Sequence, residues 1–81
     1  MADIVSPLPG TFYTAPAPDQ PPFVQPGDTI AAGQTVGIVE VMKQFSEIQS
    51  EVAGTVKSIE VKNGESVNPG TVLVVVQEGE Q

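Results

Sequence analysis

The reactive side chains of this 81-residue sequence are few, because it contains no cysteine and no histidine. It therefore has no thiol or imidazole nucleophile, no histidine general base, no soft zinc ligands and no disulfide framework. Carboxylates, hydroxyls, one tyrosine and three lysines remain. A domain of this length buries only about 60 to 65% of its unfolded surface, which leaves little room to enclose a substrate. The sequence therefore argues against an independent enzyme.

Lys43 is the reactive residue whose surroundings depart from the local rules of turn formation. The segment Val-Met-Lys-Gln at 41–44 must reverse the chain, yet it contains none of the residues that tight hairpin turns favour. Positive φ at the two central positions costs on the order of 1 kcal/mol for each residue with a Cβ atom. Because sequence rules tend to fail at functional sites, Lys43 is a candidate site, and an ordinary solvated lysine is the alternative.

The elements that would position Lys43 are short strands. Turn signals rich in Gly, Pro and Asn separate four β-branched runs, at 23–24, 35–39, 55–62 and 71–77. The expected class is all-β, a small sandwich or barrel. Apolar residues between positions 37 and 54 also recur at helical spacing, which taken alone predicts an amphipathic helix. We predict two strands that meet near Met42 and Lys43 instead, because 36–39 aligns with the continuous apolar run 73–76.

An internal repeat supports that choice. A shift of 37 residues places 24–30 over 61–67 and Gly33 over Gly70, whereas a shift of 44 places Ser6 over Ser50 and Gly10 over Gly54. The repeat predicts a pseudo-two-fold axis, and chance matching of Gly and Val is the alternative. The two shifts differ by seven residues, which must be inserted between Tyr13 and Phe23.

The inserted segment, residues 14–22, is rich in proline and would project stiffly from the domain. A passive surface loop is the alternative.

Ten acidic residues against three lysines give a net charge of −7, which disfavours binding to nucleic acid and to anionic membranes. No apolar run is long enough to span a bilayer, and the first residues do not resemble a signal peptide. We expect a soluble, cytoplasmic protein.

Residues 40–43, Glu-Val-Met-Lys, resemble the attachment motif of biotin carboxyl carrier proteins, which usually is Glu-Ala-Met-Lys-Met. The flanking Gly-Ile-Val at 37–39 and Gly-Thr-Val at 54–56 fit the same motif. The upstream blocks 6–13 and 16–19 look like those that open the biotinyl domain of multisubunit acetyl-CoA carboxylases from bacteria and plastids. The insertion after them is called the thumb in that family, and residues 14–22 fall in its place. The resemblance covers about 3–77.

The resemblance implies a single biotinyl domain over 1–81, with a core at about 3–77. Its fold would be a flattened β-sandwich of two four-stranded antiparallel sheets, with Lys43 on an exposed hairpin. A biotin protein ligase would form biotinyl-adenylate, and the ε-amine of Lys43 would attack it to give an amide. Glu40 and Met42 would set the geometry and recognition of the tip, to which Val41 and Gln44 also belong. Biotin on Lys43 would be the cofactor.

By the same resemblance the domain is a non-catalytic carrier. Biotin carboxylase would load a carboxyl group from bicarbonate, and carboxyltransferase would move it to acetyl-CoA to give malonyl-CoA for fatty acid synthesis. A tether replaces diffusion with a high effective concentration. In a plant the location would be the plastid stroma rather than the cytoplasm.

Two regions depart from the family pattern. Val41 stands where alanine is usual, and Gln44 stands where the second methionine is usual. In the thumb, Thr14, Ala15 and Pro16 are candidates to contact biotin, but relatives with Arg-Thr at 14–15 have a side-chain donor that Ala15 lacks.

Two alternative functions remain. A lipoyl domain shares the fold, although it usually has Asp-Lys at the tip and no thumb. An unmodified β-sandwich interaction module, with Lys43 merely exposed, is the alternative from another class.

Overall fold

The part of the chain described by the computed structural model, residues 2–17 and 19–78, contains eight strands and no helix. The strands are β1 (Ala2–Val5), β2 (Gly10–Tyr13), β3 (Thr29–Ile30), β4 (Thr35–Val41), β5 (Gln44–Gln49), β6 (Gly54–Ile59), β7 (Glu65–Val67) and β8 (Val72–Glu78). The predicted all-β class is confirmed.

The strands form two four-stranded sheets. Sheet A has the order β1-β8-β6-β3, sheet B has the order β5-β4-β2-β7, and every pair is antiparallel. The fold measures 40 × 27 × 19 Å. These features confirm the predicted flattened sandwich.

The core lies between the sheets and consists mainly of β-branched side chains. Phe12 and Val39 from sheet B and Leu73, Val74 and Val76 from sheet A are fully buried. The buried side chains of both sheets form one cluster in this layer, and the facing sheets exclude water from it. The hydrophobic effect of this layer therefore fixes the register of β4, the strand that leads to Lys43.

The predicted pseudo-two-fold relationship is confirmed at the level of individual hydrogen bonds. The Gly27 amide donates to the Val56 carbonyl at 2.7 Å, and its counterpart, Gly64, donates to the Phe12 carbonyl at 2.7 Å. Each turn is closed the same way, by a carboxylate that accepts from the amide three residues earlier. Asp28 accepts from Gln25 and Glu65 accepts from Lys62, both at 2.9 Å.

Two of the predicted strand runs are wrong in part. Residues 23–24 form no strand, and the run at 55–62 ends as a strand at Ile59. Val24 and its counterpart Val61 are nevertheless buried, with 2% and 6% exposure. Both side chains enter the core from loops. These positions are therefore apolar because they are buried, although they pair with no strand. Prolines on both sides of 23–24 remove backbone donors that a sheet would need.

The segment with helical spacing is the β4–β5 hairpin, as predicted from the repeat. The connection from β2 to β3, residues 14–28, is longer than its counterpart 60–64 between β6 and β7. The insertion therefore lies in the interval predicted for the thumb, although Pro18 is outside the described residues. The domain limits of 1–81 and 3–77 stay a prediction.

Candidate functional site

The β4–β5 hairpin ends in a two-residue turn made of Met42 and Lys43. Their φ angles are +51° and +68°, and the last strand pair before the turn is Val41 with Gln44. Two central residues with positive φ match the right-handed twist of a hairpin, which is why such turns usually contain Asn and Gly. Met42 and Lys43 adopt this conformation at a cost on the order of 1 kcal/mol each. The tight turn and the positive φ expected from the sequence are therefore present.

The base of the hairpin is anchored in the core. Val39 of β4 is fully buried and Ile48 of β5 is only 5% exposed. A Cβ atom built on Gly37 would lie 2.4 Å from the Cε1 atom of Phe12, so this glycine lets the aromatic ring pack directly on the β4 backbone. The strained turn is thus held by packing several residues away from it.

The tip itself is in solvent. Met42 is 91% exposed and Phe45 is 64% exposed, while Lys43 and Gln44 are also exposed. The other two lysines, at positions 57 and 62, are exposed as well. Exposure therefore does not distinguish Lys43 from them, whereas its place at a hairpin tip with positive φ does.

Glu40 is held on the outer face of sheet B by a tyrosine from the neighbouring strand. The hydroxyl of Tyr13 donates a hydrogen bond to Oε1 of Glu40 at 3.0 Å. This hydrogen bond raises the pKa of the Tyr13 phenol, and burial and the negative charge of Glu40 add to the effect. Glu40 is half-buried and directly opposite Phe45 of β5.

The thumb segment is fixed at its base by the turn at 62–65. The side-chain Oδ1 of Asn63 accepts hydrogen bonds from the Thr14 amide at 2.8 Å and from the Thr14 hydroxyl at 3.2 Å. The Phe23 amide donates to the Thr14 carbonyl at 2.8 Å, which closes the loop on itself. Both donors of Thr14 are therefore engaged with Asn63, so the prediction that they contact biotin would require these bonds to open.

The thumb and the hairpin together enclose a recess of about 290 Å³. Ala15 and Pro16 of the thumb line it, together with Glu40 and Phe45 of the hairpin. Thr14 does not line the recess. Two predicted thumb residues and the predicted tip residue Glu40 are thus brought together, whereas the other predicted tip residues, at positions 41–44, do not line the recess. A second recess of about 310 Å³ lies away from the tip, between β1 and the far part of β5.

Comparison with known proteins shows the family of this chain. A family model described as "Biotin-requiring enzyme" matches residues 2–76. The chain belongs to this family. The biotin carboxyl carrier protein of acetyl-CoA carboxylase from Porphyra purpurea is 49% identical over 94% of this chain and 48% of its own length. The protein of that name from Nostoc sp. is 52% identical over 95% of this chain and 42% of its own length.

Plant relatives match in the same way. The chloroplastic biotin carboxyl carrier protein of acetyl-CoA carboxylase 1 from Arabidopsis thaliana is 47% identical over 91% of this chain and 26% of its own length. The chain therefore spans about half the length, or less, of these curated relatives. The resemblance to biotin carboxyl carrier proteins and the biotin requirement of the family are confirmed.

Five residues that line the recess in this member of the biotin-requiring family were missed by sequence reasoning. They are Tyr13, Ala17, Ile38, Phe45 and Asn63. Phe45 fits the apolar pattern with helical spacing, so the sequence does not indicate that its side chain is exposed. A signal for Tyr13 was available, since the only tyrosine of the chain directly precedes the insertion. Asn63 gives no such signal, because an Asn-Gly pair is ordinary turn chemistry.

Across 2–17 and 19–78, no three Asp, Glu, Cys or His side chains form a group that could hold a metal ion. No helix long and apolar enough to cross a membrane occurs in the same residues.

Proposed function

We propose that Lys43 is the residue to which biotin is covalently attached, and that this domain is the carrier part of a biotin-dependent acetyl-CoA carboxylase. The observation that carries the proposal is the Met42-Lys43 turn, an exposed lysine held at positive φ on a hairpin anchored in the core. Sequence identity to carrier proteins of acetyl-CoA carboxylase supports the choice of complex.

The residues of the tip fit this group. An amine must lose a proton before it attacks, and a protruding lysine can enter the active site of a ligase, where water is excluded. The Lys43 nitrogen attacks the carbonyl carbon of biotinyl-adenylate, so that an amide C–N bond forms and the bond from that carbon to the phosphate oxygen breaks. AMP leaves with the bonding electrons, and the amine proton passes to solvent or to a ligase base. Lys57 and Lys62 do not lie at such a tip.

The neighbours of Lys43 have distinct parts in recognition. Exposed Met42 offers an apolar contact to the ligase, and Glu40 offers a charge of fixed orientation. Val41 and Gln44 form the last strand pair and define the width of the turn. Their departures from the usual alanine and methionine change side chains and leave the backbone pairing intact.

The thumb supplies a place beside the tip where the pendant group can rest. Ala15 and Pro16 contribute apolar walls to the recess, and Thr14 fixes its base through Asn63. Biotin, when bound, supplies a ureido nitrogen that carries the carboxyl group. The residues that line the recess would hold the biotinyl-lysine side chain and shield it from water.

The geometry of the strands suits a carrier. The tip lies at one end of β5, and the other end leads through 50–53 to Gly54, which pairs with Glu78 of β8. Five strand steps of about 3.3 Å separate Gln44, the residue after Lys43, from Gln49, so the two ends of β5 are roughly 17 Å apart. Biotin carboxylase and carboxyltransferase are the proposed partners, and the tip is the part of the domain that would enter their active sites.

We also propose the domain limits and the location expected from the sequence. The domain covers 1–81, with a core at about 3–77 and the thumb at 14–22. It works in the cytoplasm, or in the plastid stroma if the source is a plant, as the chloroplastic relatives suggest.

Intact-mass measurement tests the attachment. The protein is coexpressed with a biotin protein ligase in biotin-fed cells, beside Lys43→Arg and the matched control Lys57→Arg. One biotinyl increment is expected in the wild type and in Lys57→Arg, and none in Lys43→Arg. A lipoyl increment in lipoate-fed cells would show a lipoyl domain instead. No increment under either condition would favour an unmodified interaction module.

A further inference from the structure

Tyr13 occupies a defined place relative to the hairpin tip. It pairs with Ile38 across the β2–β4 interface, and Glu40 lies two residues further along β4. Residues at such diagonal positions share one face of the sheet, within reach of long side chains. The hydroxyl of Tyr13 uses that reach to bond Oε1 of Glu40 at 3.0 Å. Phe45 of β5 lies opposite Glu40, so Tyr13, Glu40 and Phe45 form a row of side chains across three strands.

The row matters because Glu40 is the charged residue of β4 nearest the turn. A glutamate on a sheet surface has three side-chain torsions, which a recognising partner must fix at a cost of about 0.5 to 1.5 kcal/mol. Tyr13 has a stiff ring on the adjacent strand, and its phenol donates to the carboxylate before any partner arrives. The carboxylate therefore has a preset orientation in the free domain.

We propose that Tyr13 is a positioning residue for modification of Lys43, which acts by holding the Glu40 carboxylate in the orientation that the ligase reads. The inference rests on the proposed function. Tyr13 touches neither the amine nor the activated biotin in this role. Its effect passes through Glu40, so the two residues act as one recognition unit.

Preorganisation of this kind affects binding of the tip more than the chemical step. In Tyr13→Phe the ring remains and only the hydroxyl is lost. The KM of the ligase for the carrier should rise about two- to tenfold, the range that follows from the cost of fixing one side chain. The kcat should stay the same, as expected when an interaction that serves binding is removed.

A double-mutant cycle separates this role from a general structural effect. Initial rates are measured with a biotin protein ligase, biotin and ATP on the wild type, Tyr13→Phe, Glu40→Gln and the double variant. The double variant should have the KM of Glu40→Gln alone, because the hydroxyl no longer has a charged partner to position.

The chain offers a matched control between β4 and β5, nearer the base of the hairpin. The Thr35 hydroxyl donates to Oε1 of Glu47 at 3.1 Å, a hydrogen bond of the same kind placed away from the tip. Thr35→Val should leave the KM unchanged. All variants are compared by thermal unfolding, so that a loss of folded protein is not counted as a loss of recognition.

The hydrogen bond itself can be followed in solution. Tyr13 is the only tyrosine and the chain has no tryptophan, so phenolate absorbance reports this residue alone. Since the carboxylate raises the pKa of Tyr13, Glu40→Gln should lower that pKa. This measurement requires neither ligase nor biotin.

The outcomes are distinct. A raised KM in Tyr13→Phe, no further loss in the double variant and a lowered phenol pKa in Glu40→Gln support the inference. An unchanged KM in Tyr13→Phe, additive effects, or a phenol pKa indifferent to Glu40→Gln would overturn it. If the wild type accepts no biotin at all, the proposed function fails instead.

Discussion

The turn at Met42 and Lys43 predicts that replacing Lys43, the proposed attachment residue, can stabilise the fold. Lys43 has a φ of +68°, which costs a residue with a Cβ atom about 1 to 2 kcal/mol. Lys43→Gly removes that cost but loses about 0.4 to 1 kcal/mol, because glycine has more freedom in the unfolded chain. The net expectation is a gain of about 0.5 to 1 kcal/mol in the free energy of unfolding.

For a chain of this length the gain can be measured. The entropy of unfolding is about 2.1 cal/mol/K per residue, so 1 kcal/mol corresponds to roughly 6 °C in Tm for 81 residues. Lys43→Gly should therefore melt about 3 to 6 °C above the wild type. Urea unfolding of the unmodified proteins gives the free energies directly. The same variant should accept no biotin.

Two controls separate strain from side-chain effects. Lys43→Ala retains a Cβ atom and should gain nothing. Gln44→Gly replaces an exposed residue of β5 and should lose about 0.5 to 1 kcal/mol, since glycine weakens a strand. If Lys43→Gly is no more stable than Lys43→Ala, the turn stores no strain and the argument for a functionally selected lysine loses its physical basis.

Three further results are expected. Gly37→Ala should destabilise the fold by about 1 to 3 kcal/mol in urea, because its Cβ would lie 2.4 Å from the buried Phe12 ring. Asn63→Ala should cost about 1 kcal/mol and speed hydrogen exchange at the Thr14 amide, which loses its acceptor. The raised pKa of Tyr13 stabilises the fold below pH 10, and this contribution should fade as pH rises through the folded-state value, as followed by phenolate absorbance in folded and urea-unfolded protein.

These expectations have their own checks. Phe12→Leu should partly rescue Gly37→Ala by making room for the added methyl, and equal stability of Gly37→Ala and the wild type would refute the packing argument. Asn63→Asp retains the acceptor oxygen and should protect the Thr14 amide. Identical phenol titrations in folded and unfolded protein would contradict the hydrogen bond to the Glu40 carboxylate.

The architecture could be predicted from the sequence because the two halves repeat. Matching Gly33 with Gly70 and Ser6 with Ser50 correctly predicted paired turns, in which Gly33 donates to Ser50 at 2.7 Å and Gly70 donates to Ser6 at 2.8 Å. Strand limits could not be predicted as well. The register shifts between Val56 and Ser58, so the alternation that suggested a strand to position 62 is interrupted by a bulge.

The turn of the candidate site could be predicted because it violates a rule, whereas Ala15, Pro16 and Glu40 came from the family resemblance. Met42 and Lys43 are not residue types that tight hairpin turns favour, and this mismatch indicated a candidate site. Apolar spacing misled at the same place, since Met42 and Phe45 fit a helical face yet are 91% and 64% exposed. Tyr13 joins Glu40 through a diagonal between strands, and such a contact depends on sheet register, which composition and spacing do not determine.

The differences between the two copies of the repeat explain how a repeated unit acquires a function. The halves share turns, buried serines and core positions, so either copy alone supplies only a framework. They differ after β2, where 14–28 replaces the short connection 60–64, and at the turn from β4 into β5. Both regions contribute residues to the recess between thumb and hairpin. Changes to shared contacts, such as Ser50 bonded to Val52, should therefore alter stability, whereas changes in these two regions should alter modification.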